Sequence, residues 1–188
     1  MYVKFGKRIF DTAVGLLAIV ILIPLLAILA IAVFAEDRHS PFFLQERPGK
    51  AGESFRLIKF RSMPVGTENV ASAYADGLQV TRVGRVLRRT NLDELPQLLN
   101  IVMGHMSFVG PRPPLPTQTD LLILREKNGS DQCRPGLTGL AQISGYDGMP
   151  VSAKAELDGR YASDIGFLKD LAIIVRTVPY LLRRPPVY

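Results

Sequence analysis

Two adjacent carboxylates, Asp93 and Glu94, lie in the stretch TNLDELPQLLN, with Glu94 two residues before Pro96. Thr90 could cap a helix that contains both carboxylates, and acidic residues in a first helical turn interact favourably with the helix dipole. Proline prefers the first position of a helix, so a helix that begins near Pro96 would leave both carboxylates on the preceding turn. There they could hold Mg²⁺, or one could attack a substrate while the other holds the metal. The local sequence leaves both interpretations open.

Basic residues that could bind an anionic substrate occur on both sides of this pair. Lys59 and Arg61 are two apart in a predicted strand and therefore share a face. Arg88 lies on a predicted helix, Arg112 is flanked by two prolines that restrict its backbone, and Arg134 precedes a Pro-Gly pair. The planar fork of arginine suits phosphate oxygens. Solvated surface charge, or contact with acidic lipids, explains the same residues.

The composition limits the classes of partner. Lys and Arg outnumber Asp and Glu by 23 to 17 in 188 residues, which gives a net charge of +6 and favours polyanions, anionic lipids or phosphorylated small molecules. Aromatic residues make up only 8% of the chain and Trp is absent, so we expect no nucleic-acid stacking surface. Cys133 is the single cysteine, which excludes an internal disulfide.

The elements that must position these residues begin with an apolar segment, residues 9–35, that carries one charge, Asp11. It exceeds the roughly 20 apolar residues that a membrane-spanning helix needs. Pro24 divides it into halves of about 22 and 18 Å, and neither half crosses a hydrocarbon core of about 30 Å. Basic residues flank both ends, which favours a re-entrant hairpin with both ends in the cytoplasm. A kinked single-pass anchor is the alternative.

The remaining chain predicts a small domain of mixed structure. Turn signals between short apolar runs predict a β-hairpin from Phe42–Leu44 and Phe55–Phe60. The pattern from Thr81 to Gly104 is helical with a break near the carboxylates, and the glycine-rich run from Arg134 to Gly148 is expected to be a loop. An apolar stripe from Phe167 onward predicts a helix that is either part of the core or lies on a membrane surface.

Three motifs occur in order along the chain: KFRSM (59–63), TRVGRVLRRTNLDELPQLLNIVMGHMSFVGPRP (81–113) and RPGLTGLAQISG (134–145). Together with the N-terminal KRIFD, they resemble the bacterial sugar transferase family, the monotopic phosphoglycosyl transferases. The resemblance implies transfer of a sugar phosphate from a nucleotide diphosphosugar, usually a UDP-sugar, to polyprenol phosphate, with release of UMP. This reaction initiates assembly of a surface glycan or glycoprotein glycan, so downstream glycosyltransferases are further candidate partners.

The same resemblance implies roles for individual residues. Asp93 is the expected nucleophile, which forms a covalent phosphosugar intermediate, and Glu94 is the expected Mg²⁺ ligand, with Asp93 as a second metal ligand. Arg112, Lys59 and Arg88 are expected to neutralise phosphates. The other candidate substrate-binding residues are Arg61, Arg134, Gln142, Tyr146, Asp158 and Tyr161.

The resemblance also implies a membrane arrangement. The expected fold is α+β and mainly helical: residues 1–36 form a re-entrant helix-break-helix with its hinge at Pro24. Residues 37–188 form a cytoplasmic domain with a short β-hairpin and interfacial amphipathic helices, on the inner membrane of a bacterium. Three positions depart from the family pattern. Ile23 replaces serine before the hinge, His105 replaces aspartate, and Tyr146 replaces arginine after a glycine.

Two other classes of protein fit part of the pattern. A membrane-anchored module that binds nucleotides or lipid phosphates would use the basic residues without chemistry. A Mg²⁺-dependent phosphohydrolase would use the carboxylates to activate water rather than a lipid acceptor.

Overall fold

The computed structural model describes residues 2–67, 79–145 and 149–182. The protein is mainly helical, with two small two-stranded sheets, as the α+β expectation requires. A π-helical turn, Tyr2–Gly6, precedes the first helix. The helices are α1 Lys7–Asp37, α2 Arg82–Thr90, α3 Gln97–Met103, α4 Thr119–Asn128, α5 Leu140–Ser144, α6 Val151–Ser163 and α7 Phe167–Leu182. The strands are β1 Phe42–Pro48, β2 Ser54–Phe60, β3 Ser107–Val109 and β4 Gly136–Thr138.

The hairpin prediction is confirmed, because β1 pairs antiparallel with β2. The register sets Phe43 opposite Lys59 and Arg47 opposite Phe55. Directly opposed residues share a face of the sheet, so this face runs from the buried Phe55 to Lys59 at the far end. The hairpin thus carries a lysine from the core to the edge of the domain.

The glycine-rich run from Arg134 was wrongly expected to be a loop. Its residues Gly136–Thr138 form β4, which pairs parallel with β3, and α5 follows directly. Small residues make this pairing possible, since a Cβ at Gly136 would lie 2.5 Å from the carbonyl oxygen of Gly110. The glycines therefore allow two segments to approach closely, a use that sequence reasoning mistook for turn chemistry.

The first helix does not break at Pro24. Helix α1 continues through that residue, so the expected break does not interrupt the helical structure, and a bend at Pro24 stays a prediction. A proline removes one backbone hydrogen bond, and the remaining helix on either side keeps its own. Within the described residues, one helix, Tyr2–Asp37, is long and apolar enough to cross a membrane. The re-entrant topology remains a proposal.

One face of α1 contacts the rest of the protein from end to end. Near its start, Arg8 donates to the carbonyls of Ile101 and Val102, at 2.6 and 2.7 Å, and Asp11 accepts from the backbone of Phe108. Near its end, Asp37 pairs with Arg61. Between them, apolar residues of the same face pack on the domain; they are Ala18, Ile19, Leu22, Leu26, Leu29, Ala30 and Val33.

The opposite faces of α1 are apolar and exposed. They present large side chains such as Ile9, Val20, Ile21, Ile28 and Ile31, each more than 60% exposed. Helix α7 adds exposed side chains of the same kind at Leu168, Val175 and Val178. An exposed apolar surface of this kind is typical of contact with a membrane or with another protein.

A buried asparagine joins the hairpin to α3. The Asn100 side chain is fully buried; its oxygen accepts from the Ile58 amide at 3.0 Å, and its nitrogen donates to the Arg56 carbonyl at 2.7 Å. The amide thereby occupies the place of a neighbouring strand on β2. This contact fixes the strand that carries Lys59 against the helix that follows the two carboxylates.

We expect Asn100→Leu to lower the free energy of unfolding by about 2–4 kcal/mol, because it leaves a buried N–H and a buried C=O unpaired. Chemical denaturation in detergent micelles measures the change. Gln132→Leu, at an exposed amide, is the control and should change stability by less than about 0.5 kcal/mol. Equal effects of the two substitutions would contradict this role for Asn100.

Candidate active site

The two carboxylates lie on a tight turn between α2 and α3. Helix α2 ends at Thr90, whose hydroxyl donates back to the Val86 carbonyl, so Thr90 does not cap the next helix. Asn91 then reverses the chain in the left-handed conformation, with φ of 55°. Leu92–Glu94 form one 3₁₀ turn, and Pro96 is the N-cap of α3. Of the two interpretations that the sequence allows, the structure has the turn before a helix.

Glu94 is held by two cations. Its Oε1 accepts from Lys59 Nζ at 2.8 Å and from Arg112 Nη2 at 2.9 Å, and its side chain is only 16% exposed. Burial by itself would raise the pKa of Glu94, but the charges and hydrogen bonds of Arg112 and Lys59 outweigh it and lower that pKa below the usual range. Glu94 is therefore ionised and fixed in place.

Asp93 differs from its neighbour. Its carboxylate makes no hydrogen bond or ion pair with any residue in the part of the chain that the structure describes, although it lies in the same cavity. Burial raises the pKa of Asp93 to about 6, against the opposing charge of Lys59 and with the support of the Glu94 charge. One carboxylate is thus fixed by partners while the other is left with its oxygens unengaged, a pairing typical of catalytic sites.

Both carboxylates face a cavity of about 450 Å³. The predicted site residues that line it are Lys59, Arg61, Arg88, Asp93, Glu94 and Arg112. Its lining also includes the apolar side chains of Phe42, Phe43, Met63 and Val65. The cavity therefore combines basic side chains suited to phosphates with apolar side chains suited to a base, a sugar face or a lipid.

Close packing of α2 brings Arg88 to this cavity. Gly84 lies so near the preceding segment that a Cβ there would be 2.1 Å from the carbonyl oxygen of Ser62. Four residues later on the same helix face, Arg88 Nε donates to Ser62 Oγ at 2.9 Å. Gly84 thus lets α2 pack close to Ser62, and this packing places Arg88 at the cavity.

Arg61 joins the cavity to the end of α1. Its side chain is buried, pairs with Asp37 through both terminal nitrogens and donates through Nε to the Ser40 carbonyl at 2.8 Å. These contacts engage all three nitrogens of its guanidinium, so Arg61 shapes the cavity wall and anchors the end of α1 beside it.

Four predicted substrate-binding residues are not among those that line this cavity. Arg134 is exposed and donates to the Gly104 carbonyl, and Gln142 lies beside β4, where its amide is 3.4 Å from the Leu137 carbonyl. Asp158 pairs with Arg125, and the Tyr161 hydroxyl contacts the Val109 carbonyl and Asp170. Tyr146 lies outside the described residues. His105, at a position that departs from the family pattern, packs beside the Phe55 ring.

Sequence reasoning missed Arg47. It lines the cavity, donates to Gln45 Oε1 through Nε and Nη2, and donates to the Pro113 carbonyl through Nη1 at 3.0 Å. Burial, together with the nearby charge of Arg112, lowers the pKa of Arg47 to about 10. Its position in the sequence carries no local signal of this role, because Arg47 lies beyond the predicted strand Phe42–Leu44 and contacts Pro113 only in the folded protein.

The oxygen atoms of Asp93 and Glu94 suit a metal ion whose remaining ligands are water and substrate. Among the described residues, no group of three or more His, Cys, Asp or Glu side chains converges. Asp93 and Glu94 still offer oxygens that the cations do not occupy. Mg²⁺ is commonly held by one or two carboxylates, with water and substrate phosphates completing its shell. The residues present fit such an ion.

The order of these features along the chain matches a known family. The model of the family described as "Bacterial sugar transferase" matches residues 2–184, almost the whole sequence. The chain therefore belongs to the bacterial sugar transferase family. It is an enzyme of the phosphoglycosyl transferase type.

Curated relatives extend over the same region. A UDP-glucose:undecaprenyl-phosphate glucose-1-phosphate transferase of Caulobacter vibrioides is 39% identical over 99% of this chain and 73% of its own length. The exopolysaccharide production protein ExoY of Sinorhizobium fredii is 36% identical over 93% of this chain and 84% of its own length. A UDP-galactose-lipid carrier transferase of Erwinia amylovora is 35% identical over 98% of this chain, which spans 42% of that protein.

The raised pKa of Asp93 has a measurable consequence for stability. Between about pH 4 and pH 6 the folded protein retains a proton on Asp93 that the unfolded chain releases, so stability falls as pH rises through this interval. Asp93→Asn removes the loss. We expect the variant to exceed wild type by about 1–3 kcal/mol above pH 6 and to match it near pH 4.

Thermal unfolding in Mg²⁺-free detergent solution from pH 4 to 8 measures this difference. Glu53→Gln, at an exposed carboxylate, is the matched control and should show no such pH dependence. A stability difference for Asp93→Asn that stays constant over this pH range would show that burial does not disfavour its ionised form.

Proposed function

We propose that the protein transfers a sugar 1-phosphate from a UDP-sugar to polyprenol phosphate and releases UMP. The observation that carries the proposal is the unengaged Asp93 carboxylate beside Glu94, which Lys59 and Arg112 hold in place. The names of the relatives support the substrate classes, since they specify UDP-glucose, UDP-galactose and undecaprenyl phosphate. The product would begin a lipid-linked glycan, in keeping with the exopolysaccharide role in the name of another relative.

The reaction would proceed in two displacements at the sugar-bearing phosphorus. In the first, an Asp93 carboxylate oxygen attacks this phosphorus, the bond from phosphorus to the bridging oxygen breaks, and UMP leaves with that oxygen. An acyl phosphate then joins Asp93 to the sugar phosphate. In the second, a phosphate oxygen of polyprenol phosphate attacks the same phosphorus and Asp93 leaves. Two steps let a water-soluble donor and a lipid acceptor use one site in turn.

The basic residues make the first step feasible. A carboxylate that approaches a diphosphate meets like charge, so the site must supply positive charge near the phosphates. Lys59, Arg88 and Arg112 line the cavity beside Asp93 and would neutralise the diphosphate, and Arg47 adds a fourth cation there. Glu94 holds Lys59 and Arg112 in the lining of this cavity, beside Asp93.

Mg²⁺ is the proposed cofactor. Asp93 and Glu94 would hold it together with phosphate oxygens of the donor, and when bound it supplies additional positive charge to the diphosphate. The cavity already contains several cations, so the ion is expected to bind together with the anionic donor rather than ahead of it.

The contacts of α1 support a monotopic arrangement. Both ends of this helix bind the same small domain, through Lys7 and Asp170 at the start and through Asp37 and Arg61 at the end. A span that emerged on opposite sides of a bilayer would separate these contacts. We therefore infer that α1 enters and leaves the membrane on one side, and basic residues at both ends indicate the cytoplasmic face of a bacterial inner membrane.

Asp93→Asn is expected to abolish covalent labelling and to lower turnover by at least about a thousandfold, because the nucleophile is lost. The purified protein is mixed with Mg²⁺ and with UDP-glucose or UDP-galactose carrying ³²P in the sugar-linked phosphate. Label on wild-type protein should be released by hydroxylamine, which cleaves acyl phosphates, and should pass to lipid when polyprenol phosphate is added.

Glu53→Gln is the matched control and should be labelled like wild type. Transfer to lipid without any labelled protein would refute the covalent step. Release of free sugar phosphate in the absence of lipid would instead indicate a phosphohydrolase.

The proposed topology predicts that both ends of α1 are accessible from the cytoplasm. Single cysteines at Val3 and His39, which are exposed, are introduced into a Cys133→Ser background. This replacement removes the native thiol, whose pKa burial raises to about 11. A membrane-impermeant maleimide should label both sites in inside-out vesicles and neither in intact cells, whereas labelling from opposite sides would refute the arrangement.

A further inference from the structure

The segment that carries Arg112 cannot be held in the usual way. Residues 111–116 read PRPPLP, and its four prolines have no backbone N–H to donate. The Leu115 amide donates to Gln118 Oε1 at 2.9 Å, and the segment is held further through its carbonyl oxygens, which need donors from elsewhere. Three successive carbonyls have them: Pro111 accepts from the Gly136 amide at 2.9 Å, Arg112 from Arg125 at 2.9 Å, and Pro113 from Arg47 at 3.0 Å.

The donor to the Arg112 carbonyl belongs to a buried ion pair. Arg125 lies on α4 and is 4% exposed, and Asp158 lies on α6 and is 2% exposed. Arg125 donates to Asp158 Oδ2 through Nε at 2.9 Å and through Nη2 at 2.6 Å, and Nη1 donates to the Arg112 carbonyl. Neither residue lines the cavity of Asp93 and Glu94.

We propose that Arg125 and Asp158 are positioning residues for the transfer reaction, which hold the Arg112 backbone so that its guanidinium meets Glu94. Asp158 orients the plane of Arg125, Arg125 fixes the Arg112 carbonyl, and Arg112 Nη2 reaches Glu94 Oε1. This inference rests on the proposed function. It assigns Asp158 to support of the substrate-binding arginine rather than to contact with substrate.

The Arg125–Asp158 ion pair is better suited to orienting its neighbours than to stabilising the fold. A buried ion pair is costly to desolvate, and apolar residues of similar size often stabilise a fold as well. An arginine in this place can address the carboxylate and the carbonyl together, because its donors project in a rigid planar fork. A lysine keeps the charge, but its single ammonium group cannot donate to both the Asp158 carboxylate and the Arg112 carbonyl in the same geometry.

A purely structural role would be to join α4 to α6. That connection exists independently, because Asn128 on α4 donates to the Ala155 carbonyl on α6 at 2.7 Å. Asn128→Ala therefore serves as a control that weakens the same helix pair without touching the Arg112 carbonyl. Glu156→Gln, at an exposed carboxylate two residues from Asp158, controls for charge on α6.

The test is a double-mutant cycle between Arg125→Lys and Arg112→Ala, with two readouts. One is the rate of UMP release from the UDP-sugar with polyprenol phosphate. The other is the affinity for Mg²⁺ and UDP by calorimetry, which needs no turnover. Arg125→Lys alone should lower the rate about 10- to 100-fold. In the Arg112→Ala background it should change rate and affinity by less than about twofold, because its effect passes through Arg112.

Asp158→Asn, which preserves the size of the side chain, should give the same pattern and replaces Arg125→Lys if that variant folds poorly. Asn128→Ala should lower the melting temperature while retaining wild-type rate and affinity. Effects that multiply in the double mutant, or wild-type values for both Arg125→Lys and Asp158→Asn, would overturn the inference. If the wild-type protein releases no UMP, the proposed function fails, and the affinity cycle still decides whether Arg125 acts through Arg112.

Discussion

A single carboxylate oxygen joins three separate segments of this protein. Glu94 Oε1 receives Lys59 from the hairpin and Arg112 from the proline-rich segment, while Glu94 itself lies on the turn before α3. Lys59 comes from a strand that pairs with β1, whereas Glu94 and Arg112 lie outside the strands and α-helices. Charge-assisted hydrogen bonds, which are shorter and stronger than neutral ones, join the three segments at this point. Asp93, beside it, makes no hydrogen bond with the described residues.

Three different kinds of interaction position the segments that meet at Glu94. Asn100 substitutes for a strand on the edge of β2, Gly84 allows α2 to approach Ser62, and Arg125 supplies a donor that prolines cannot. Each device replaces a hydrogen bond or a contact that regular secondary structure would normally provide. A small domain can in this way hold a cavity of reactive groups without an extensive sheet beneath it.

Sequence reasoning was accurate where local chemistry decides the structure. Gly104 marks the end of α3, and turn signals between apolar runs identify the hairpin. Pro96 made a turn before α3 one of two interpretations for Asp93 and Glu94, and the structure has that one. Sequence reasoning failed where long-range packing decides. The glycines near Gly136 signal close approach between strands as readily as a loop, and nothing local reveals that Asp158 pairs with Arg125 on another helix. Pro24 was predicted to break α1 because a proline removes a backbone hydrogen bond. The sequence does not show how the neighbouring turns of the helix pack against the domain.

The contact face of α1 fixes the rotational phase of the helix as well as its place. Arg8, Asp11, Leu22, Leu26 and Val33 recur at spacings close to multiples of 3.6, so one stripe serves the whole domain. One inserted residue would rotate everything beyond it by about 100° and separate the helix end from its partners. Apolar identity on the outer faces can vary freely, whereas the number of residues between Arg8 and the final turn cannot. The apolar segment is thus constrained in length by the domain it serves, independently of the thickness of any bilayer.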